Sequence, residues 1–99
     1  MAQMGIKVLE IRTLHSNAKS LRAFVDVQIG DLILKDFRIL EENGGKSYVK
    51  APFTTYKDKT GQLRFRQIID LPAEVRGRID NMILSEYYRE KEKQHGTTD

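Results

Sequence analysis

The sequence predicts an α+β fold: a five-stranded antiparallel meander sheet, then one C-terminal helix, assembled as a dimer. Three observations predict it. Apolar and polar residues alternate with period two through the first two-thirds of the chain. Hairpin signals, Gly30-Asp31 and Asn43-Gly44-Gly45, separate the alternating runs. After Pro72 the period changes to that of a helix. The 99 residues are one domain's worth of chain. The domain is expected over residues 1–93, with a flexible tail over 94–99.

Ile6 to His15 mixes β-branched and polar residues with imperfect alternation and reads as the first strand. Ser16-Asn17-Ala18-Lys19 reads as a turn, because Asn tolerates positive φ. Leu21 to Ile29 alternates cleanly, with Leu21, Ala23, Val25, Val27 and Ile29 on one face and Arg22, Phe24, Asp26 and Gln28 on the other. Gly30-Asp31 is a turn of the Gly-X type, and Leu32 to Glu41 is the third strand. Asn43-Gly44-Gly45 closes it. Lys46 to Phe53 is the fourth strand, its Pro52 marking an end or an edge because proline donates no ladder hydrogen bond. Thr54 to Gly61 lacks periodicity and is expected as an exposed hairpin tip. Gln62 to Leu71 is the fifth strand, with Leu63, Phe65, Gln67 and Ile69 opposed to Arg64, Arg66 and Ile68.

Pro72 suits the first helical position, where its missing N–H was unpaired anyway. Val75, Ile79, Met82, Ile83 and Tyr87 recur at helical spacing as one apolar stripe. Glu74 near the start and Arg89, Lys91 and Lys93 near the end complement the helix dipole. One helix covers one face of the sheet. The other face is expected to carry Phe24, Ile33, Phe37 or their neighbours, and a second copy of the chain is the simplest cover. Asp36 and Arg38, on one strand face, are expected as a structural ion pair with their neighbours.

Composition narrows the function. The chain has no Cys, which excludes a disulfide scaffold and thiolate metal sites. No apolar run approaches the roughly 18 residues of a membrane span, and Met1-Ala2-Gln3-Met4-Gly5 is no apolar signal region. A cytoplasmic protein is expected. His15 and His95 lack a second metal-type ligand at i+3 or i+4 and read as surface histidines. No serine lies in a Gly-x-Ser-x-Gly elbow, and there is no Gly-x-x-x-x-Gly-Lys phosphate loop. Glu41 and Glu42 are adjacent, so on a strand they face opposite ways and cannot form an acid–base pair. No enzyme activity, cofactor, metal or small-molecule substrate is expected.

The net charge of +3 is unevenly spread. Residues 50–78 hold Lys50, Lys57, Lys59, Arg64, Arg66, Arg76 and Arg78 against Asp58, Asp70 and Glu74. Such a basic segment is an electrostatic footprint for a polyanion. Arg64 and Arg66, two apart on a strand, project from one face about 6–7 Å apart. Lys57 and Lys59 ride on the adjoining tip, with Tyr56 as a candidate stacking residue. The alternation puts Phe65 opposite the arginines and into the core.

The helix sequence resembles the C-terminal signature of the SpoVG family, bacterial proteins named for sporulation and septation. The family pattern of Arg-Gly-x-Ile, four spacer residues and Leu-x-Glu-Tyr is met by Arg76, Gly77, Ile79, Leu84, Glu86 and Tyr87. Leu21-Arg22-Ala23 and Leu34-Lys35-Asp36-Phe37-Arg38-Ile39-Leu40 look like the family's second and third strands. Tyr48-Val49-Lys50-Ala51-Pro52 is similar to its Phe-Val-x-Met-Pro, and Phe65-Arg66-Gln67-Ile68 to its Phe-Arg-Asp-Ile. The resemblance covers about residues 6–90. It departs after Pro52, where Phe53-Thr54-Thr55-Tyr56 replaces the usual Ser-x-Arg and the connection to Phe65 is longer, and before the helix, where Asp70-Leu71-Pro72 replaces His-Pro.

The resemblance implies a five-stranded sheet with a C-terminal helix, a homodimer, and regulatory binding to DNA or RNA. On that reading Lys50, Lys57, Lys59, Arg64 and Arg66 meet phosphates or base edges, and Arg76 and Arg78 form a second patch at the helix start. The alternative is a protein-interaction module that recruits a division or regulatory partner through its sheet edge and basic patch.

Overall fold

The computed structural model describes residues 5–14, 20–42 and 45–96, with 94–96 described by their backbone. The expected turn at 16–19, His15, and Asn43-Gly44 lie outside the described residues. Six strands and a helix follow in order: β1 (Ile6–Thr13), β2 (Leu21–Ile29), β3 (Leu32–Glu41), β4 (Ser47–Lys50), β5 (Phe53–Lys57), β6 (Leu63–Gln67) and α1 (Ala73–Gly96). The first four form an antiparallel sheet in the order β1-β2-β3-β4, while β5 and β6 form a separate two-stranded ribbon.

The expected five-stranded meander is therefore corrected to four strands plus two. The cause is Ala51-Pro52, which ends β4 at Lys50. Proline cannot donate to a ladder, and the chain leaves the sheet there. The Pro52 carbonyl instead accepts the Ile68 N–H at 3.1 Å, which closes the base of the ribbon. Thr54 to Lys57, expected in the tip, belongs to β5, and the tip shrinks to the residues between Lys57 and Leu63.

The core lies between the four-stranded sheet and α1. β2 supplies Ala23, Val25, Val27 and Ile29, all buried, as its alternation predicts. The helix stripe supplies Ile79, Ile83 and Tyr87, and α1 touches both edge strands, β1 and β4. Pro72 precedes the first helical residue, its carbonyl accepting the Arg76 N–H at 2.8 Å. At the far end the helix backbone continues to Gly96, three residues beyond the expected boundary.

Three register shifts interrupt the ladders, one of them where Leu21 faces Leu40 but Ala23 faces Ile39, and the other two reset the alternation. One, between Val8 and Glu10, leaves Leu9 exposed and explains the imperfect pattern of β1. The other, in β3, places Val25 opposite Phe37 but Val27 opposite Leu34. Asp36 sits in it at φ 69°, in the left-handed region, and its N–H donates to Asp26 Oδ1 at 3.3 Å. The Arg12 guanidinium also grips Asp26, at 2.9 and 3.2 Å, and holds that carboxyl below the ordinary carboxylate range. The bulge sends Phe37 and Ile39 into the core, both fully buried, and Arg38 to the opposite face.

Two expectations change as a result. Phe37 belongs to the helix-covered core and not to the open face. Asp36 and Arg38 have different partners: Asp36 pairs with Arg12 at 3.1 Å, while Arg38 lies between the rings of Phe24 and Phe53, 5.4 and 4.1 Å from their centroids. The face away from the helix thus carries its own ionic and cation–π cover. Apolar surface is exposed at Ile33, as expected for that face, and also at Leu32, Leu63, Phe65 and Ile68.

Candidate nucleic-acid interface

The ribbon pairs Phe53 with Gln67, Thr54 with Arg66, Thr55 with Phe65, Tyr56 with Arg64 and Lys57 with Leu63. Alternation therefore gives it two unlike faces. One carries Thr54, Tyr56, Arg64 and Arg66. The other carries Phe53, Thr55, Lys57, Leu63, Phe65 and Gln67. Every residue of β6 is exposed, because neither sheet nor helix backs the ribbon.

A two-stranded ribbon is marginal on its own, and two devices hold this one. At its tip Asp58 Oδ1 accepts the Thr60 N–H, the Thr60 hydroxyl and the Gln62 N–H at 2.9, 2.6 and 3.0 Å. Gly61 completes the turn at φ 84°, which favours glycine. Asp58 Oδ2 accepts from Arg64 Nε at 2.9 Å. The Thr60 hydroxyl, then Arg64, hold the Asp58 carboxyl down at about 2. At its base, Phe53 and Phe65 pack edge to face at 5.5 Å, with Lys50 Nζ 4.9 Å from the Phe53 centroid.

The Asp58 geometry gives a prediction for acid. A carboxyl with a lowered folded pKa stabilises the tip above its ordinary value of 3.8, and that contribution fades as pH falls through about 2. The Thr60 and Gln62 amide resonances are expected to titrate with a midpoint near 2. Asp58→Asn should abolish the step. A midpoint at the ordinary carboxylate value would mean the tip network does not form in solution.

The seven expected site residues separate into four places. Arg64 and Arg66 share the ribbon face with Tyr56, as their spacing predicts. Lys57 lies on the opposite ribbon face and Lys59 at the tip, so they flank the arginines from the end and do not extend their row. Lys50 and Arg76 meet in an open cleft of about 430 Å³ lined also by Ala51, Phe53, Phe65 and Gln67. Among the described residues, Lys57, Lys59, Arg66 and Arg78 have no carboxylate partner, whereas Arg64 has Asp58.

Arg76 and Arg78 do not form the expected second patch. At about 100° per residue, two positions along a helix project to nearly opposite sides. Arg76 faces the sheet, donating Nη2 to the Val49 carbonyl at 2.9 Å and Nε to Asp80 at 2.9 Å. It ties α1 to β4 and occupies a carbonyl of the edge strand on which sheet-edge recruitment would depend. Arg78 is exposed on its own.

Phe65 is the residue that sequence reasoning missed. It is 64% exposed, with Lys50 Nζ 5.3 Å from its ring centroid. Alternation correctly placed it opposite the arginines. The error lay in taking that side as core, and the signal that corrects it is Pro52, which detaches the ribbon from the sheet. Arg38 and Phe53, which join the ribbon to the sheet through a ring contact, were not recognised either.

Fold and site together define a small α+β domain whose cationic and aromatic side chains gather on a projecting ribbon. The chain is 30% identical over 90 residues to the "Putative septation protein SpoVG" of Anaeromyxobacter sp. (strain Fw109-5), a match covering 89% of this chain and 88% of that protein. It belongs to the SpoVG family. No family model matches the chain, and no solved structure matches it. No helix among the described residues is long and apolar enough to cross a membrane.

Proposed function

We propose that this chain is a non-enzymatic regulator that binds DNA or RNA as a cytoplasmic homodimer, in septation or in gene regulation, with the β5–β6 ribbon as its contact element. The observation that carries the reading is the ribbon itself. It is solvent-exposed throughout β6 and presents Arg64 and Arg66 from one face, with Lys57 and Lys59 at its end. Asp58 is the carboxylate set among them, and it orients Arg64. Guanidinium forks suit phosphate oxygens and guanine edges. The name of the Anaeromyxobacter relative supports the link to septation.

The test is binding of random-sequence DNA and RNA across a salt series. Arg64→Ala with Arg66→Ala is expected to weaken binding at least about tenfold and to lower the salt slope by about one unit for each phosphate no longer neutralised. A loss shared by all sequences marks phosphate ligands, and a loss confined to one preferred sequence marks base readers. Lys91→Ala with Lys93→Ala should change little, because Lys91 faces Glu41 at 3.7 Å and Lys93 faces Glu90 at 4.0 Å. A larger effect from the helix pair than from the ribbon pair sinks the assignment.

The homodimer reading rests on Leu32, Ile33 and Ile68, which are 61%, 55% and 60% exposed. Ile33 and Ile68 border one depression of about 230 Å³, a surface suited to a second copy. Light scattering is expected to give twice the 11.5 kDa chain mass, and Ile33→Asp with Ile68→Asp to give the single mass. A wild-type monomer at micromolar concentration overturns the dimer.

A further inference from the structure

We infer that Phe65 is a base-stacking platform, so that the cleft between the ribbon and the start of α1 takes single-stranded nucleic acid. The inference rests on the nucleic-acid reading above and names the form of the ligand.

Phe65 is the most exposed large hydrophobic residue of the described chain, at 64%. Its position is nonetheless fixed: Phe53 meets it edge to face at 5.5 Å and 61°, and Arg38 packs on Phe53 at 4.1 Å. The ring is thus held from the sheet side and open toward solvent. Around it the cleft supplies a cation and an amide, Lys50 and Gln67, while Arg76, held by Asp80 and the Val49 carbonyl, forms part of its wall. An aromatic face beside a cationic group matches a nucleotide, whose base stacks while its phosphate is neutralised nearby. Within a duplex, base faces are covered by their neighbours, so an isolated ring of this kind engages unpaired bases. The exposed Ile33 and Ile68 border a separate depression that shares only Phe53 with this cleft, which leaves Phe65 free when a second copy covers them.

The chain contains no Trp, so Phe65→Trp introduces one fluorophore at the proposed stack. With a 12-nucleotide single strand, DNA or RNA, its emission is expected to be quenched on binding, and affinity to stay within about threefold of wild type. Phe65→Ala should weaken single-strand binding about 5- to 160-fold, the range for loss of one aromatic–base stack. Its salt slope should stay unchanged, since no charge is removed. Wild type should prefer the single strand to the duplex of the same sequence by tenfold or more.

Three binding results overturn the inference separately from its premise, and a fourth comes from the oligomeric state. The binding results are Phe65→Ala binding within twofold of wild type, unquenched indole emission from the saturated Phe65→Trp complex, and a preference for duplex. If Phe65→Ala instead halves the mass in light scattering, the ring belongs to a contact between copies and the stack is refuted. Absence of wild-type binding to either form at low salt refutes the nucleic-acid reading itself.

Discussion

Phe37→Ala is expected to cost about 3–5 kcal/mol of folding stability, read as a lowered denaturation midpoint with an unchanged slope. Phe37 is fully buried, opposite Val25 in the centre of the sheet. Its truncation leaves a cavity that close-packed neighbours fill only partly. Domains of this size are stable by about 5–15 kcal/mol, so the loss takes a large share of the total. The prediction also tests the β3 bulge. Without that bulge, strict alternation from Leu32 and Leu34 turns Phe37 outward, and truncating an outward ring costs far less. A change below about 1 kcal/mol would place Phe37 on the open face and remove the reason for Arg38 to lie between Phe24 and Phe53.

The contrast between β2 and β3 shows where the fold was legible. β2 is covered by α1 on one side and by ionic and cation–π groups on the other, so its two faces differ chemically and its alternation is readable. The same holds for Ile79, Ile83 and Tyr87 on α1. The β3 bulge is different in kind. It depends on Asp26 and Arg12, which are 10 and 24 residues from Asp36, and no local pattern announces such a partner. β5 was missed because both faces of the ribbon are exposed, so Thr54-Thr55-Tyr56-Lys57 shows no hydrophobic contrast. The break at Pro52 was visible as a proline, but its consequence, a ribbon released from the sheet, depends on how the chain continues.

The same division governs the site. The pairing of Arg64 with Arg66 needs only the period of a strand, and it was read from spacing. Which partner each cation holds depends on neighbours that spacing does not reveal. Asp58 restrains Arg64, and Val49 and Asp80 occupy Arg76. Phe65 required knowing what lies behind the ribbon. Sequence spacing thus reaches the ribbon's faces, and the cleft emerges only when β4, β5, β6 and α1 are placed together.

The frame behind that cleft depends on α1, and Ile83→Ala tests it with an expected loss of about 2–5 kcal/mol. Ile83 lies at the middle of the buried stripe, one turn from Ile79 and one from Tyr87, and is fully buried. In proteins most of a helix's stability comes from its packed face, so a cavity here loosens α1 against β1 and β4 together. Arg76 rides on the same helix, so its bond to the Val49 carbonyl should loosen as well. Asn81→Ala is the control: Asn81 is exposed on the same helix, and the substitution should stay within about 0.5 kcal/mol of wild type. Thermal and urea unfolding of the two variants decide the matter. Equal stabilities would mean that the stripe of Ile79, Ile83 and Tyr87 does not hold α1 on the sheet.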